Sequence, residues 1–297
     1  MRICRWAWRT RPTRLETLAA ARVSQVTVYP MNDRIGFRAR VWLVGLLTAL
    51  GLAAVCVLPP LRQWQEYHRF ADQAPCLGIP NCLNVISNAA FVIVGLIGLG
   101  FLARKREANK PGGFVEAFER WAYAVFFLGV ILTGFGSAYY HWNPCDSTLV
   151  WDRLPLTVAF MSILAATITE RINVKLGVWL LVPLVIAGAA SVIYWQQVGN
   201  LWPYAAAQYY SVVLVAVMIG LLSPRYSRTA DLFVVVGIYA LAKVAEALDQ
   251  PIMSVTKVVS GHTLKHLIAA VAVFWLLRML TRRLPERQDR STMQWPN

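Results

Sequence analysis

Five polar residues of the kinds that metal-dependent hydrolases use stand in otherwise apolar stretches of this chain. His262 and His266 are separated by four positions, which places two imidazoles on one face of a helix, where both can reach one ion. His141 supplies a third imidazole from another apolar stretch, and three histidine ligands with one open position are typical of catalytic zinc. Asp152 can act as a general base towards a water, and Ser137 can hydrogen-bond that water or an oxyanion. The pattern therefore predicts a hydrolytic metal site.

Each of these residues also has a plainer explanation when it is considered alone. An isolated histidine on an apolar helix is usually a hydrogen-bonded core residue. The carboxylate of Asp152 is favoured at a helix N-terminus by the helix dipole, or it pairs with Arg153. A helical serine such as Ser137 often bonds to its own backbone. The metal hypothesis therefore depends on whether the chain brings the five residues to one place.

The composition indicates a protein that spans a membrane. Of the 297 residues, 57% are hydrophobic and only 15% are charged, against about 25% in soluble domains, and the mean hydropathy is +0.49. A helix needs about 20 apolar residues to cross the hydrocarbon core. Eight stretches satisfy this requirement, at about 41–60, 84–103, 120–141, 150–170, 175–195, 203–222, 229–248 and 261–281. None alternates in the manner of a β-barrel strand, so we predict an all-α integral membrane protein.

The net charge of +14 is informative about the orientation of these helices. In a soluble protein it would favour nucleic-acid binding, but here Lys and Arg concentrate on alternate connections, as the positive-inside rule requires. The poorer side receives only Arg62, Arg69 and Lys257. We therefore predict eight spans, both termini in the cytoplasm, and no nucleic-acid partner.

This topology places the five polar residues at one depth. The helix that carries Ser137 and His141 runs outwards, so both lie at its outer end. The helix that opens with Asp152 and the helix that opens with His262 and His266 run inwards, so these residues lie in the outer layer too. Ionisable residues at membrane depth are costly and mark functional sites. Their shared depth therefore favours a single site.

The segments outside the apolar stretches are interpreted from their composition. We predict a disordered cytoplasmic tail over residues 1–40, a retained transmembrane helix over 41–60 and a second cytoplasmic tail over 282–297. Cys76 and Cys82 lie on the outer side, where disulfides can form, and they are either bridged or two unpaired thiols.

Further charged groups lie close to the predicted site. Lys243, Glu246 and Asp249 are spaced by three near the outer end of their helix. They can line a substrate entrance, or Lys243 and Glu246 can form an internal pair that lowers the cost of both charges. Lys265 lies between two predicted ligands, and we expect its long side chain to extend outwards to the membrane surface or to contact a lipid headgroup.

These residues resemble the alkaline ceramidase family, which belongs to a larger group with the adiponectin/progestin-type receptors and hemolysin III-like proteins. The resemblance rests on three motifs in chain order: Ser137-x3-His141, Asp152-Arg153-Leu154-Pro155 and His262-x3-His266. The segment 84–88, Asn-Val-Ile-Ser-Asn, is also similar to the start of the family's first core helix. Ser87 and Asn88 within it can support the metal ligands or only join helices.

The resemblance implies a fold and an activity. It implies a seven-helix core over 76–281, preceded here by the additional helix at 41–60. It implies Zn²⁺ held by the three histidines, with Asp152 as the base and Ser137 as the polarising hydroxyl. The implied reaction is hydrolysis of a ceramide-like membrane lipid to a sphingoid base and a fatty acid. Because the motifs look most like those of bacterial members, the implied location is a bacterial inner membrane with the site facing the periplasm.

Two features bear on cofactors and on the alternative function. The acidic cluster that binds calcium in animal and yeast members is reduced here to Glu66 and Asp72, which argues against a calcium site. The other function class that fits the pattern is a non-catalytic receptor or sensor of the same fold with a structural zinc. The open coordination position and Asp152 favour the hydrolase.

Overall fold

Long helices dominate the computed structural model of the protein, which describes residues 33–104 and 106–286. No β-strand element occurs in these two ranges, so the predicted all-α membrane fold is confirmed. The long helices, in chain order, are α1 (Asp33–Val57), α2 (Cys82–Ala103), α3 (Arg120–Trp142), α4 (Asp146–Arg171), α5 (Val174–Val198), α6 (Trp202–Leu221), α7 (Thr229–Ala247) and α8 (Gly261–Arg282). By its contacts the chain divides into two units, Met1–Ala39 and Arg40–Asn297, and the site lies in the second.

Seven of these helices, all except α7, are long and apolar enough to cross a membrane. The remaining predicted span, at 229–248, does form the helix α7. This helix carries three charged residues, Asp231, Lys243 and Glu246. Each of the three is paired inside the protein: Asp231 with Arg228, and Lys243 with Glu246. Because α7 packs along α8, these charges are directed at protein partners.

The predicted ends of the chain differ from the structure in two places. Helix α1 begins at Asp33, earlier than the predicted residue 41. The rest of the predicted tails, residues 1–32 and 287–297, lies outside the described residues. At the other end, Arg283 is fully buried, so residues 283–286 pack on the fold instead of leaving it.

Helices α3 and α4 approach closely near the C-terminal end of α3. A Cβ at Gly136 would overlap the carbonyl oxygen of Trp151 on the facing helix, so only glycine allows the two backbones to meet there. Ser137 follows Gly136 on α3, and Asp152 follows Trp151 on α4. The contact therefore sets these two polar residues side by side.

Residues 58–75 form a strap that connects α1 to α2 across the end of the bundle where α4 and α6 begin. Its only helical element is the 3-10 turn Gln65–His68. The Leu61 carbonyl accepts a hydrogen bond from the Leu201 N–H at 2.8 Å. The strap leads to Cys76 and Cys82, which are paired in a disulfide with their Cα atoms 5.4 Å apart. Of the two alternatives left open by the sequence, the bridged form is the one observed.

Candidate metal centre

Three buried histidines meet at the end of the helix bundle where α3 ends and α8 begins. His141 comes from the last turn of α3, whereas His262 and His266 come from the first two turns of α8. Their exposed fractions are 1%, 4% and 1%, and one ring nitrogen from each lies within 4.8 Å of the others. The structure thus brings the three predicted ligands together, and such a cluster can hold one metal ion.

The start of α8 is fixed by polar contacts that hold His262 in place. Ser260 caps the helix by accepting a hydrogen bond from the Thr263 N–H at 3.1 Å. The Asp249 carboxylate accepts from the N–H of His262 at 2.7 Å and from the N–H of Ala71 at 2.8 Å. Asp249 was predicted to continue the row of Lys243 and Glu246, and this was wrong, since it begins the separate short helix Asp249–Thr256.

The hydrogen bonding of the rings fits a metal ion. Nδ1 of His141 and Nε2 of His266 are buried and have no hydrogen-bond partner, although buried polar atoms are normally satisfied. The other nitrogen of His266, Nδ1, lies 2.8 Å from Oγ of Ser87. Metal-binding histidines usually donate their second ring N–H to such an outer partner, which fixes the tautomer and the ring orientation. A set of metal ligands requires ring nitrogens without other partners and rings that are held in place. These two histidines offer the first, and His266 also offers the second.

Lys265 lies differently from the prediction. We expected its side chain to extend outwards, but its Nζ lies 2.9 Å from Oε1 of Glu246 and 3.0 Å from Nε2 of His262. Glu246 also pairs with Lys243, so one carboxylate holds two ammonium groups. This internal pairing offsets the cost of burying the charges, and it directs Lys265 towards the histidines.

Asp152 and Ser137 lie beside the histidines, as their sequence positions predict. The Ser137 side chain faces the Asp152 carboxylate. Both residues line a cavity of about 480 Å³ that His266 and Lys243 line as well. A carboxylate, a hydroxyl and one histidine of the cluster therefore line the same cavity.

Asn88 does not contact the histidines. Its side-chain amide donates to the Asn84 carbonyl at 2.7 Å, within the interrupted first part of α2, where the regular helix breaks at Ser87 and Asn88. Of the two neighbours proposed as supports, Ser87 therefore contacts a predicted ligand, His266, whereas Asn88 stabilises the local backbone.

Sequence reasoning did not identify Phe70 in the strap. Its buried ring lies 4.5 Å from the ring of His141 and 4.6 Å from that of His262, measured between centroids. Phe70 therefore packs against two of the three histidines and covers that side of the cluster. Only its place among polar neighbours in the strap could have indicated this role.

Two other strap residues lie around the site. His68 stays outside the cluster, where its Nδ1 lies 2.9 Å from the Tyr140 hydroxyl and its Nε2 lies 3.0 Å from the Asp146 carboxylate. Tyr67 lines the cavity, and burial raises the pKa of its phenol. Tyr67 is therefore a neutral hydrogen-bonding group at the cavity wall.

Comparison with known proteins agrees with this arrangement. No curated protein and no solved structure gives a significant match to the chain. A family model described as Ceramidase matches residues 78–297, a range that contains all three histidines, Ser137 and Asp152. The chain therefore belongs to the ceramidase family.

Proposed function

We propose that this membrane protein is a zinc-dependent hydrolase that cleaves the amide bond of a ceramide-like lipid. The family supports a ceramide-hydrolysing membrane protein. The observation that carries the proposal is the buried cluster of three histidines beside a cavity that Ser137 and Asp152 line. Three neutral imidazoles suit Zn²⁺ and leave one coordination position open.

The chain's own residues supply the remaining chemistry. A zinc ion held by the histidines would lower the pKa of water and polarise a carbonyl oxygen. Asp152 takes the proton of the attacking water and delivers it to the amide nitrogen as the carbon–nitrogen bond breaks. Ser137 donates a hydrogen bond to the carbonyl oxygen as negative charge develops on it. The products are a fatty acid and a free amine.

We further propose that the site faces the periplasm of a bacterial inner membrane, with both termini in the cytoplasm. The distribution of Lys and Arg supports this orientation. The disulfide between Cys76 and Cys82 supports it as well, because such bonds persist in oxidising compartments. Asn81, next to Cys82, donates from its side chain to the carbonyl of His141 at 2.8 Å. The disulfide and the histidines therefore lie at the same end of the molecule.

An Asp152→Asn variant tests the assignment, because it keeps the shape of the side chain and removes the base. The purified protein in detergent is incubated with ceramide, and the released fatty acid and amine are measured by mass spectrometry. We expect bound zinc to be unchanged and kcat to fall about 100-fold or more. Asp146→Asn is the matched control, since Asp146 lies in the first turn of the same helix with its side chain 48% exposed.

Two results would contradict the proposal. Full activity of Asp152→Asn would remove Asp152 from the reaction. Bound zinc in the unaltered protein with no hydrolysis of any lipid amide would favour the alternative, a receptor or sensor with a structural metal.

A further inference from the structure

Arg153 is a buried cation without an acidic partner. Its exposed fraction is 4%, and no carboxylate lies within ion-pairing distance of it among the side chains that the structure describes, those of residues 36–104 and 106–286. The two neighbouring lysines differ in this respect, because Lys243 and Lys265 both pair with Glu246. Burial of an unpaired charge is costly, so Arg153 needs another source of stabilisation.

Aromatic rings and one neutral acceptor hold the Arg153 side chain. The guanidinium carbon lies 4.1 Å from the ring centre of Trp195 and 4.5 Å from that of Tyr204, distances at which cation–π attraction operates. Nη2 donates to the side-chain oxygen of Gln63 at 2.7 Å. Nη1 is buried and has no hydrogen-bond partner. The guanidinium thus keeps one donor group unused and another bonded only to a neutral amide.

The position of Arg153 relates it to the substrate. It follows Asp152 in α4, and both residues line the same cavity. Gln63 belongs to the strap over that cavity, so a ligand can replace its amide oxygen without disturbing the helices. A group bound by Arg153 would therefore belong to the molecule whose amide bond meets Asp152.

We propose that Arg153 binds an oxyanion on the polar part of the substrate, so that the preferred substrate is an anionic amide lipid. This inference rests on the proposed hydrolase function. The planar guanidinium presents paired donors that match a carboxylate or phosphate, and a charged acceptor adds ionic attraction that the neutral amide of Gln63 does not supply. The charges at the cavity wall agree, since four cationic residues (Arg62, Arg153, Lys243 and Lys265) line it together with only three carboxylates (Glu66, Asp152 and Glu246).

Two matched pairs of lipids test the inference and separate its two anion sources. N-palmitoylglycine and N-palmitoylethanolamine share an acyl chain and differ in a carboxylate against a hydroxyl. Ceramide 1-phosphate and ceramide differ in a phosphate. We expect the unaltered protein to hydrolyse at least one anionic member with kcat/KM about 10- to 100-fold above its neutral partner, as the loss of a hydrogen bond to a charged group would predict.

The Arg153→Lys variant should remove most of this preference by lowering kcat/KM for the anionic lipid more than for its neutral partner, because lysine keeps the charge but lacks the fork of donors. Arg69→Gln is the matched control, since it removes an exposed arginine of the strap that does not line the cavity. Its preference should equal that of the unaltered protein.

Equal hydrolysis of both members of each pair by the unaltered protein would overturn the inference, whether or not Arg153→Lys folds. An anion preference that persists in a folded Arg153→Lys variant would overturn it too. Both results leave the proposed function intact. Failure to hydrolyse any of the four lipids, with zinc bound, would instead defeat the proposed function, and the inference would fall with it.

Discussion

Removal of the Ser87 hydroxyl tests whether His266 is oriented for a metal ion. The Ser87 Oγ lies 2.8 Å from Nδ1 of His266 and 3.3 Å from the carbonyl oxygen of Asn84. With the proton of the ring on Nδ1, His266 donates to Ser87, and the Ser87 hydroxyl donates onward to Asn84. This arrangement leaves Nε2 of His266, which is buried and has no hydrogen-bond partner, free to bind a metal ion.

The expected magnitude follows from the burial of this contact. Ser87 is only 7% exposed, so in a Ser87→Ala variant water has little access to the Nδ1–H of His266. An unsatisfied buried donor costs about 1–3 kcal/mol, which corresponds to about 5- to 150-fold in an equilibrium constant. Loss of an outer partner of a metal-binding histidine typically weakens metal binding about 10- to 100-fold. We therefore expect the Kd for zinc to rise about 10- to 100-fold.

Competition with a zinc chelator of known affinity measures this change on protein purified in detergent. Ser162→Ala is the matched control, because Ser162 is also buried in a helix and bonds to the Val158 carbonyl of its own helix at 2.7 Å. That variant should bind zinc as the unaltered protein does. If Ser87→Ala also binds zinc with unaltered affinity, the account of how His266 is oriented is refuted.

Two further predictions concern the ends of the helices and their packing. The side-chain hydroxyls of Ser147 and Thr148 hydrogen-bond the thiol of Cys145 and lower its pKa to about 7. The reactive thiolate of Cys145 therefore forms at a lower pH than that of an ordinary cysteine, whose pKa is about 8.5. The labelling of Cys145 by iodoacetamide is measured against pH as the part of the rate that the Cys145→Ser variant lacks. This rate should reach half its maximum near pH 7, and a midpoint near pH 8.5 would contradict the hydrogen-bonded geometry. Gly136→Ala should lower both the stability and the rate of lipid hydrolysis, because overpacking lowers the free energy of unfolding by about 1–3 kcal/mol. Gly100→Ala is the control: a Cβ there meets no atom within 4 Å, so both quantities should stay unchanged. Unaltered melting temperature and activity of Gly136→Ala would show that the α3–α4 approach does not position the site.

The meeting of the three histidines could be predicted from sequence because helix geometry and helix direction are enough to bring them to one end of the bundle. His262 and His266 share one helix face through their spacing. Charge counting brings His141 to the same depth, and Asp152 as well. None of these steps requires knowledge of which helices are neighbours. The same reasoning placed Ser137 correctly, since it precedes His141 by one helical turn.

The side-chain contacts of the long charged residues could not be predicted in this way. Lys265 was expected at the membrane surface, but Glu246 from α7 attracts it inwards, and only the packing of α7 on α8 brings these residues together. Asp249 was assigned to α7, but the chain turns after Leu248 and uses Asp249 to hold the start of α8. Periodicity describes one helix at a time, so partners from other helices and from the strap escape it.

The content of zinc per chain, measured together with lipid hydrolysis, shows whether the three histidines bind a zinc ion that the reaction needs. His266→Ala removes a buried ligand of the cluster, whereas His68→Ala removes the fourth histidine, whose partners are Tyr140 and Asp146. The account predicts one zinc per chain and active enzyme for the unaltered protein and for His68→Ala, and loss of both zinc and hydrolysis for His266→Ala. Hydrolysis that persists in a zinc-free His266→Ala protein would contradict it.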